Sequence, residues 1–258
     1  FGADLGAEKF FNIKCRIGNL QPRAAVLVAT VKAVKYQGTS GKAAGEQGEK
    51  GRAALRDGFR NLARHIRNVR RFGVPVVVAV NRFPSDEPED LAQLEALCRE
   101  LGVEAVPVEV WESGGEGGIA LARAVLDVLE GDASEFRFLY DDRSSLAEKI
   151  AVIAREMYGA AEVGFTGPAR RTLLELEARD LGTLPVCIAK TQYSFSGDPA
   201  LKGCPEGFEL KIREVRLAAG AGFIVALAGE VHTMPGLPEQ PAAERVELGG
   251  NGEISGLF

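Results

Sequence analysis

Two short stretches carry side chains suited to gripping a flat, polar ligand. The first, residues 76–86, reads VVVAVNRFPSD. A run this short, apolar and β-branched is the pattern of a strand buried on both faces. It breaks into Asn81, Phe83, Pro84 and Asp86, and parallel strands carry their ligands just past their carboxyl ends. The second stretch repeats the arrangement. A strand is expected over residues 106–110, ending in Trp111, the chain's only Trp, and then in Gly114, Gly115, Gly117 and Gly118.

The chemistry follows from the residue types. The Asn81 amide donates and accepts hydrogen bonds at once, which matches the edge of a purine base. Its spacing to Asp86 resembles the Asn-containing strand ends of phosphate-loop nucleotide enzymes. The plain alternative is an Asx turn closing the strand. Phe83 and Trp111 can stack on a planar heterocycle from two sides, at about 1 kcal/mol per ring contact beyond area burial. The plain alternative is that both rings plug the sheet end. Gly114 and Gly115 let backbone N–H groups approach an anion or a ring, or else merely make a tight turn. KTQYSFS at residues 190–196 can meet an anion or form an exposed polar loop. GTSGKA at 38–43 is rejected as a phosphate loop, because its glycines are too close and no Ser or Thr follows Lys42. No catalytic residue is assigned.

The elements that position these groups alternate. Strands are expected over residues 26–31, 74–80 and 106–110, with helices over 53–72, 86–101 and 119–130. That order is the signature of β-α-β units around a parallel sheet. The helix at 53–72 shows Leu55, Phe59, Leu62, Ile66 and Val69 at helical spacing. Residues 1–6 and 35–51 are expected as loops. After a boundary at 131–138, helices are expected at 146–157 and 168–180, and strands at 184–189, 208–215 and 223–227. A proline-fixed loop is expected over 232–241. The fold class is therefore α/β: a mostly parallel sheet flanked by helices over residues 1–130, and a smaller carboxyl-terminal α/β domain over 131–258.

Bulk composition narrows the function classes. The 258 residues carry a net charge of −5, with 46% hydrophobic and 26% charged residues. No basic excess points to nucleic acid, and no apolar stretch approaches a membrane span. The four cysteines lack metal-ligand spacing, so buried free thiols in a cytoplasmic protein are expected and no metal site is. His65 and His232 are expected to be packed or surface residues. A chain that opens on Phe1 and runs at once into residues 7–14 is expected to be the carboxyl-terminal part of a longer one.

Taken together, the blocks resemble the carboxyl-terminal half of the formate–tetrahydrofolate ligase family. The resemblance spans essentially the whole chain. It includes GADLGAEKFFNIKCR at 2–16, VLVATVKAVK at 26–35, GVPVVVAVNRFPSD at 73–86, VWESGGEGG at 110–118 and FLYDD at 138–142. LPVCIAKTQYSFS at 184–196, GAGFIVALAGEVHTMPGLPEQPAAER at 220–245 and ISGLF at 254–258 complete it. The resemblance implies a phosphate-loop-type enzyme that makes 10-formyltetrahydrofolate from formate, tetrahydrofolate and MgATP through formyl phosphate. It implies a homotetramer activated by a monovalent cation, K⁺ or NH₄⁺. It implies that Phe83 and Trp111 stack on the folate pterin, and the reading of the residues adds Pro84 on the folate side and Asn81, Gly114 and Gly115 on the nucleotide side. The chain departs from the family pattern at Lys32, at Gln37 to Thr39 and at Gly197. The triphosphate cradle would lie in a missing amino-terminal half, so these residues alone are expected not to turn over. The alternative is a non-catalytic binding or assembly module that keeps the fold.

Overall fold

The computed structural model describes residues 2–38, 45, 47–131, 134–229, 240–250 and 252–256. Its first helix, α1 (Ala3–Lys9), runs through a π-helical stretch (Phe10–Cys15) into one more turn, α2 (Arg16–Gly18). Residues 3–6 are therefore helical and not loop. Asp4, Glu8 and Asn12 recur every four residues, share one helix face and are buried. Polar residues at core spacing concealed this helix from an apolar pattern.

The first sheet contains β1 (Ala25–Ala29), β2 (Val76–Asn81) and β3 (Ala105–Val108), in that spatial order and all parallel. Between β1 and β2 run α3 (Val31–Gly38) and α4 (Gly48–Arg71). Between β2 and β3 runs α5 (Pro88–Glu100). The fold is thus α/β with helices crossing over a parallel sheet, as expected. Val76 to Val80 of β2 are all buried, and Val77, Val78 and Val80 are sealed from solvent.

The expected loop over 35–51 is corrected at both ends. β1 stops at Ala29, because Thr30 opens a helix: its Oγ1 accepts from the Ala33 N–H at 3.0 Å and its carbonyl from the Val34 N–H at 3.0 Å. Lys35 lies buried on α3 with its Nζ 2.6 Å from Asp90 on α5. The helix expected from residue 53 begins at Gly48. Its apolar stripe of Leu55, Phe59, Leu62, Ile66 and Val69 is buried, and it ends where Gly73 turns at φ 73°. α3 and α4 touch backbone to backbone. A Cβ on Gly58 would lie 1.8 Å from the Val34 carbonyl oxygen, and one on Gly38 2.0 Å from that of Ala54. The GTSGKA segment beyond Gly38 lies outside the described residues.

After β3 come α6 (Val110–Ser113), a 3₁₀ stretch (Gly114–Gly118) and α7 (Ile119–Gly131). α8 (Leu146–Ile153) opens on a capping box between Ser145 and Glu148 and passes into a π-helical stretch (Ala154–Tyr158). The second sheet holds β4 (Glu162–Phe165), β5 (Val186–Ala189), β6 (Glu209–Ala218) and β7 (Phe223–Ala228), ordered β4-β6-β7-β5. Only its β6–β7 pair is antiparallel. α9 (Gly167–Glu177) precedes β5, capped by the Thr166 side chain. β4 went unread, being short and interrupted by Gly164. A two-stranded hairpin joins β8 (Glu247–Leu248) to β9 (Ile254–Ser255). The loop expected over 232–241 lies outside the described residues except for Gln240 and Pro241. One buried apolar cluster runs from Phe11 through Val78 and Ile150 to Ala228, so it touches both large sheets.

The wholly buried Glu8 makes this fold pH-sensitive. Its Oε1 accepts from the Asn12 amide at 2.7 Å. Burial raises its pKa from 4.5 to about 7, more than Lys9 and the Asn12 bond lower it. The folded state holds a proton that the unfolded state releases more readily. The stability due to protonated Glu8 is full below the unfolded value and is lost as pH rises through about 7. Melting curves should therefore show a loss of up to about 3 kcal/mol between acidic and mildly alkaline pH. Glu8→Gln should flatten that slope; an unchanged slope would contradict the assignment.

Candidate functional site

The site begins where β2 runs out of buried positions. Asn81, the last residue of β2, pairs in register with Val108, the last of β3. The ladder extends one bond further, with the Arg82 N–H donating to the Val108 carbonyl at 3.0 Å. The chain then leaves the sheet in a turn that Asp86 closes. The Phe83 N–H donates to Asp86 Oδ2 at 2.9 Å, and the Asp86 N–H donates to the Phe83 carbonyl at 3.0 Å. Asp86 thus holds the backbone beneath Phe83. The turn weighed as the plain alternative for Asn81 is closed by Asp86 instead. The half-buried Asn81 amide forms no side-chain hydrogen bond among the described residues.

The neighbouring strand supplies the second wall. The strand expected over 106–110 stops at Val108, because Glu109 turns to φ −129°, ψ 40°. Its carbonyl accepts from the Glu112 N–H at 3.1 Å and the Ser113 N–H at 2.9 Å, which starts α6. Trp111 therefore stands on a one-turn helix and not at a strand end. Alternating valines at 106, 108 and 110 made the strand look longer, but Val110 is exposed. Gly114 then adopts φ 56°, a left-handed value that favours glycine, and Gly115 is exposed with open space above it. Gly117 is fixed for a different reason. A Cβ there would lie 2.5 Å from the Glu109 carbonyl oxygen.

Two cross-links tie the walls together. The Trp111 indole Nε1 donates to the Arg82 carbonyl at 3.0 Å. The Arg82 guanidinium also pairs with the Glu109 carboxylate. The Trp111 ring is 57% exposed and Phe83 is 44% exposed. Ring contacts among the described residues do not include one between these two. Pro84 is exposed beside Phe83. The structure therefore brings Asn81, Phe83, Pro84, Trp111, Gly114 and Gly115 to one end of two adjacent strands. Arg82 and Glu109, which cross-link the site, went unread; the only signal was an opposite charge just beyond each strand.

KTQYSFS is a loop exposed only at Gln192 and Tyr193, and its lysine meets a carboxylate of the chain itself. Lys190 is buried, with its Nζ 2.8 Å from Asp4 Oδ2 and donating to the Thr191 carbonyl at 3.2 Å. Burial lowers its pKa and Asp4 raises it. This lysine fastens β5 to α1. His65 packs on Phe195 with ring centroids 4.7 Å apart, and burial lowers its pKa, so it is neutral near pH 7. His232 lies outside the described residues. All four cysteines are free; Cys15 and Cys98 are buried, and Cys187 and Cys204 half-buried. Burial raises the pKa of each. Among the described residues, no group of three His, Cys, Asp or Glu side chains could hold a metal ion. No helix among them is long and apolar enough to cross a membrane.

A family model described as formate–tetrahydrofolate ligase matches residues 1–258. A curated formate–tetrahydrofolate ligase from Paracoccus denitrificans (strain Pd 1222) is 55% identical over 258 residues. One of the same description from Maricaulis maris (strain MCS10) is 52% identical over 258 residues. Each match covers 100% of this chain and 46% of the relative. The chain thus spans about half the length of the curated relatives it matches.

The close approach at Gly117 yields a test of the site's rigidity. Gly117→Ala should displace Glu109 and the α6 turn, costing about 1–3 kcal/mol. It should also weaken the near-ultraviolet circular dichroism of the single Trp. An unchanged melting temperature and spectrum would show that this contact does not hold the site.

Proposed function

The chain belongs to the formate–tetrahydrofolate ligase family, and from that premise we propose that its exposed sheet end forms the folate-binding wall of the ligase. One observation carries the reading. Two adjacent parallel strands end in two exposed aromatic rings, cross-linked through the Trp111–Arg82 hydrogen bond. An exposed apolar ring held in place is suited to stacking on a planar ligand.

In this reading Phe83 and Trp111 hold the two faces of the tetrahydrofolate pterin, with Pro84 stiffening the Phe83 turn. Asn81, its amide free of side-chain partners among the described residues, reads the adenine edge of ATP. Gly114 and Gly115 leave backbone N–H groups close to the nucleotide. The reaction is phosphoryl transfer from MgATP to formate, then attack of the folate amine on formyl phosphate. The first step needs positioning and charge neutralisation around the phosphates. Nothing in residues 1–258 is assigned to that task, which falls to the rest of the ligase polypeptide. In this reading no residue of the chain is assigned to the activating K⁺ or NH₄⁺, and no step is routed through it. The reading includes a cytoplasmic homotetramer, with residues 1–130 carrying the ligand contacts and 131–258 a smaller domain. It also holds that residues 1–258 alone do not turn over.

Three-substrate kinetics on the full-length enzyme test this. Phe83→Ala and Trp111→Ala should each raise the tetrahydrofolate KM by about fivefold or more, the equivalent of at least about 1 kcal/mol. Formate and ATP should be little affected. Trp111→Phe, which keeps a ring but loses the tether to Arg82, should fall between. Asn81→Ala should weaken ATP by about 1–3 kcal/mol. A large drop in melting temperature with equal effects on all substrates would show that the rings are packing groups.

A further inference from the structure

A polar cavity of about 170 Å³ lies between α3, α4 and the connection from β5 to β6. It is lined by Gln37 and Gly38 from α3, Asp57 and Arg60 from α4, and residues 202–205 of the connection. The connection is pinned to the helices at Gly203. The Gly203 N–H donates to Gln37 Oε1 at 2.9 Å, and the Asn61 amide donates to the Gly203 carbonyl at 2.6 Å. Folded chains leave few voids larger than a water molecule, and wet ones are lined by polar groups.

The charges around this cavity are unbalanced. Arg56, Arg60, Arg64 and Arg67 recur at three- and four-residue spacing, so they share one face of α4, where like charges repel. Arg64 meets Glu206 at 3.6 Å. Arg60 makes no hydrogen bond or ion pair among the described residues. Neither does Lys202, whose Nζ lies 4.9 Å from the Tyr36 ring centroid and 5.0 Å from that of Tyr193. Aromatic faces attract a cation without cancelling its charge. Among the described residues, Asp57 is the one acid in the lining. The Cys204 thiol senses the same field. Burial raises its pKa, Arg64 lowers it, Glu206 raises it, and Arg60 and Arg67 lower it.

We propose that this cavity binds a phosphate-sized oxyanion between Arg60 and Lys202. Its volume is below the roughly 300–1,000 Å³ of pockets that enclose larger ligands, so it admits a phosphoryl group and not a whole nucleotide. A guanidinium can meet two phosphate oxygens at once, and an ammonium adds a point charge. A doubly charged anion balances both cations where a carboxylate would balance one. Bound there, it ties the β5–β6 connection to α4. The site stands whether or not the ligase reading holds, because the cavity and its charges alone carry it.

The test uses the full-length polypeptide containing these residues, with each cysteine's alkylation by iodoacetamide followed by peptide mass. Phosphate at about ten times its dissociation constant should slow Cys204 by about tenfold and leave Cys187, the other half-buried thiol, unchanged. Arg60→Gln and Lys202→Gln should each raise the phosphate concentration needed by about tenfold, and Asp57→Asn should lower it. Equal slowing by sodium chloride at matched ionic strength would be screening and would overturn the proposal. So would slowing by ADP with phosphate inert, which would place the ligand elsewhere. Slowing by phosphate alone would support the site as one for the free anion, and slowing by ADP as well as one for a nucleotide's terminal phosphoryl group. Equilibrium dialysis does not depend on a reactive thiol. It should count one phosphate more per chain in the parent than in the doubly substituted Arg60→Gln, Lys202→Gln protein, and equal counts would overturn the proposal.

Discussion

The burial of Val76 to Val80 in β2 is the constraint from which the site follows. Val76 to Val80 are buried as a continuous run, between β1 and β3 and beneath the crossover helices. Slipping such a strand by one residue would carry Asn81 into the interior, where its amide would need a partner. The register is therefore tightly held, and with it the residue at which the chain emerges. Arg82 is the last residue tied to the β3 ladder, and Phe83 is the first free of it. An aromatic ring at that position is delivered to solvent by the strand below it. Deleting bulk from Val78 or Val80 would cost about 0.5–1.5 kcal/mol per methyl and loosen the base on which the ring stands.

The second wall depends on backbone economy at Glu109. Its carbonyl serves the α6 turn, its carboxylate meets Arg82, and its N–H donates to the Gly117 carbonyl at 3.3 Å. Gly117 must lack a side chain for that approach. The glycine run is thus partly structural. Gly117 permits packing, Gly114 permits a left-handed turn, and Gly115 faces open space where a ligand could approach.

Much of this was legible in the sequence where one pattern dominated. β2 declared itself by its apolar run, α4 by its 3.6-residue stripe, and the parallel order by alternating strands and helices. The clustering of Asn81, Phe83 and Trp111 followed from the rule that parallel strands present their carboxyl ends on one side. What was hidden was set by tertiary partners. α1 carries Asp4 and Glu8 on its buried face, and the distant Lys190 makes the burial of Asp4 tolerable. α3 looked like loop because Lys35 interrupts its apolar face, yet that lysine is buried against Asp90. Val110 lengthened an apparent strand because alternation cannot reveal that Glu109 turns the chain. In each case a polar residue found its partner far away in sequence, or a backbone turn overrode side-chain pattern.

The central claim is that the sheet end formed by β2 and β3 receives the flat ring of tetrahydrofolate. A crystal structure of the full-length enzyme with bound tetrahydrofolate tests it most directly. The account predicts the pterin between the two rings, with atoms of both Phe83 and Trp111 within about 4 Å of it. A pterin bound elsewhere, with both rings still facing solvent, would contradict it.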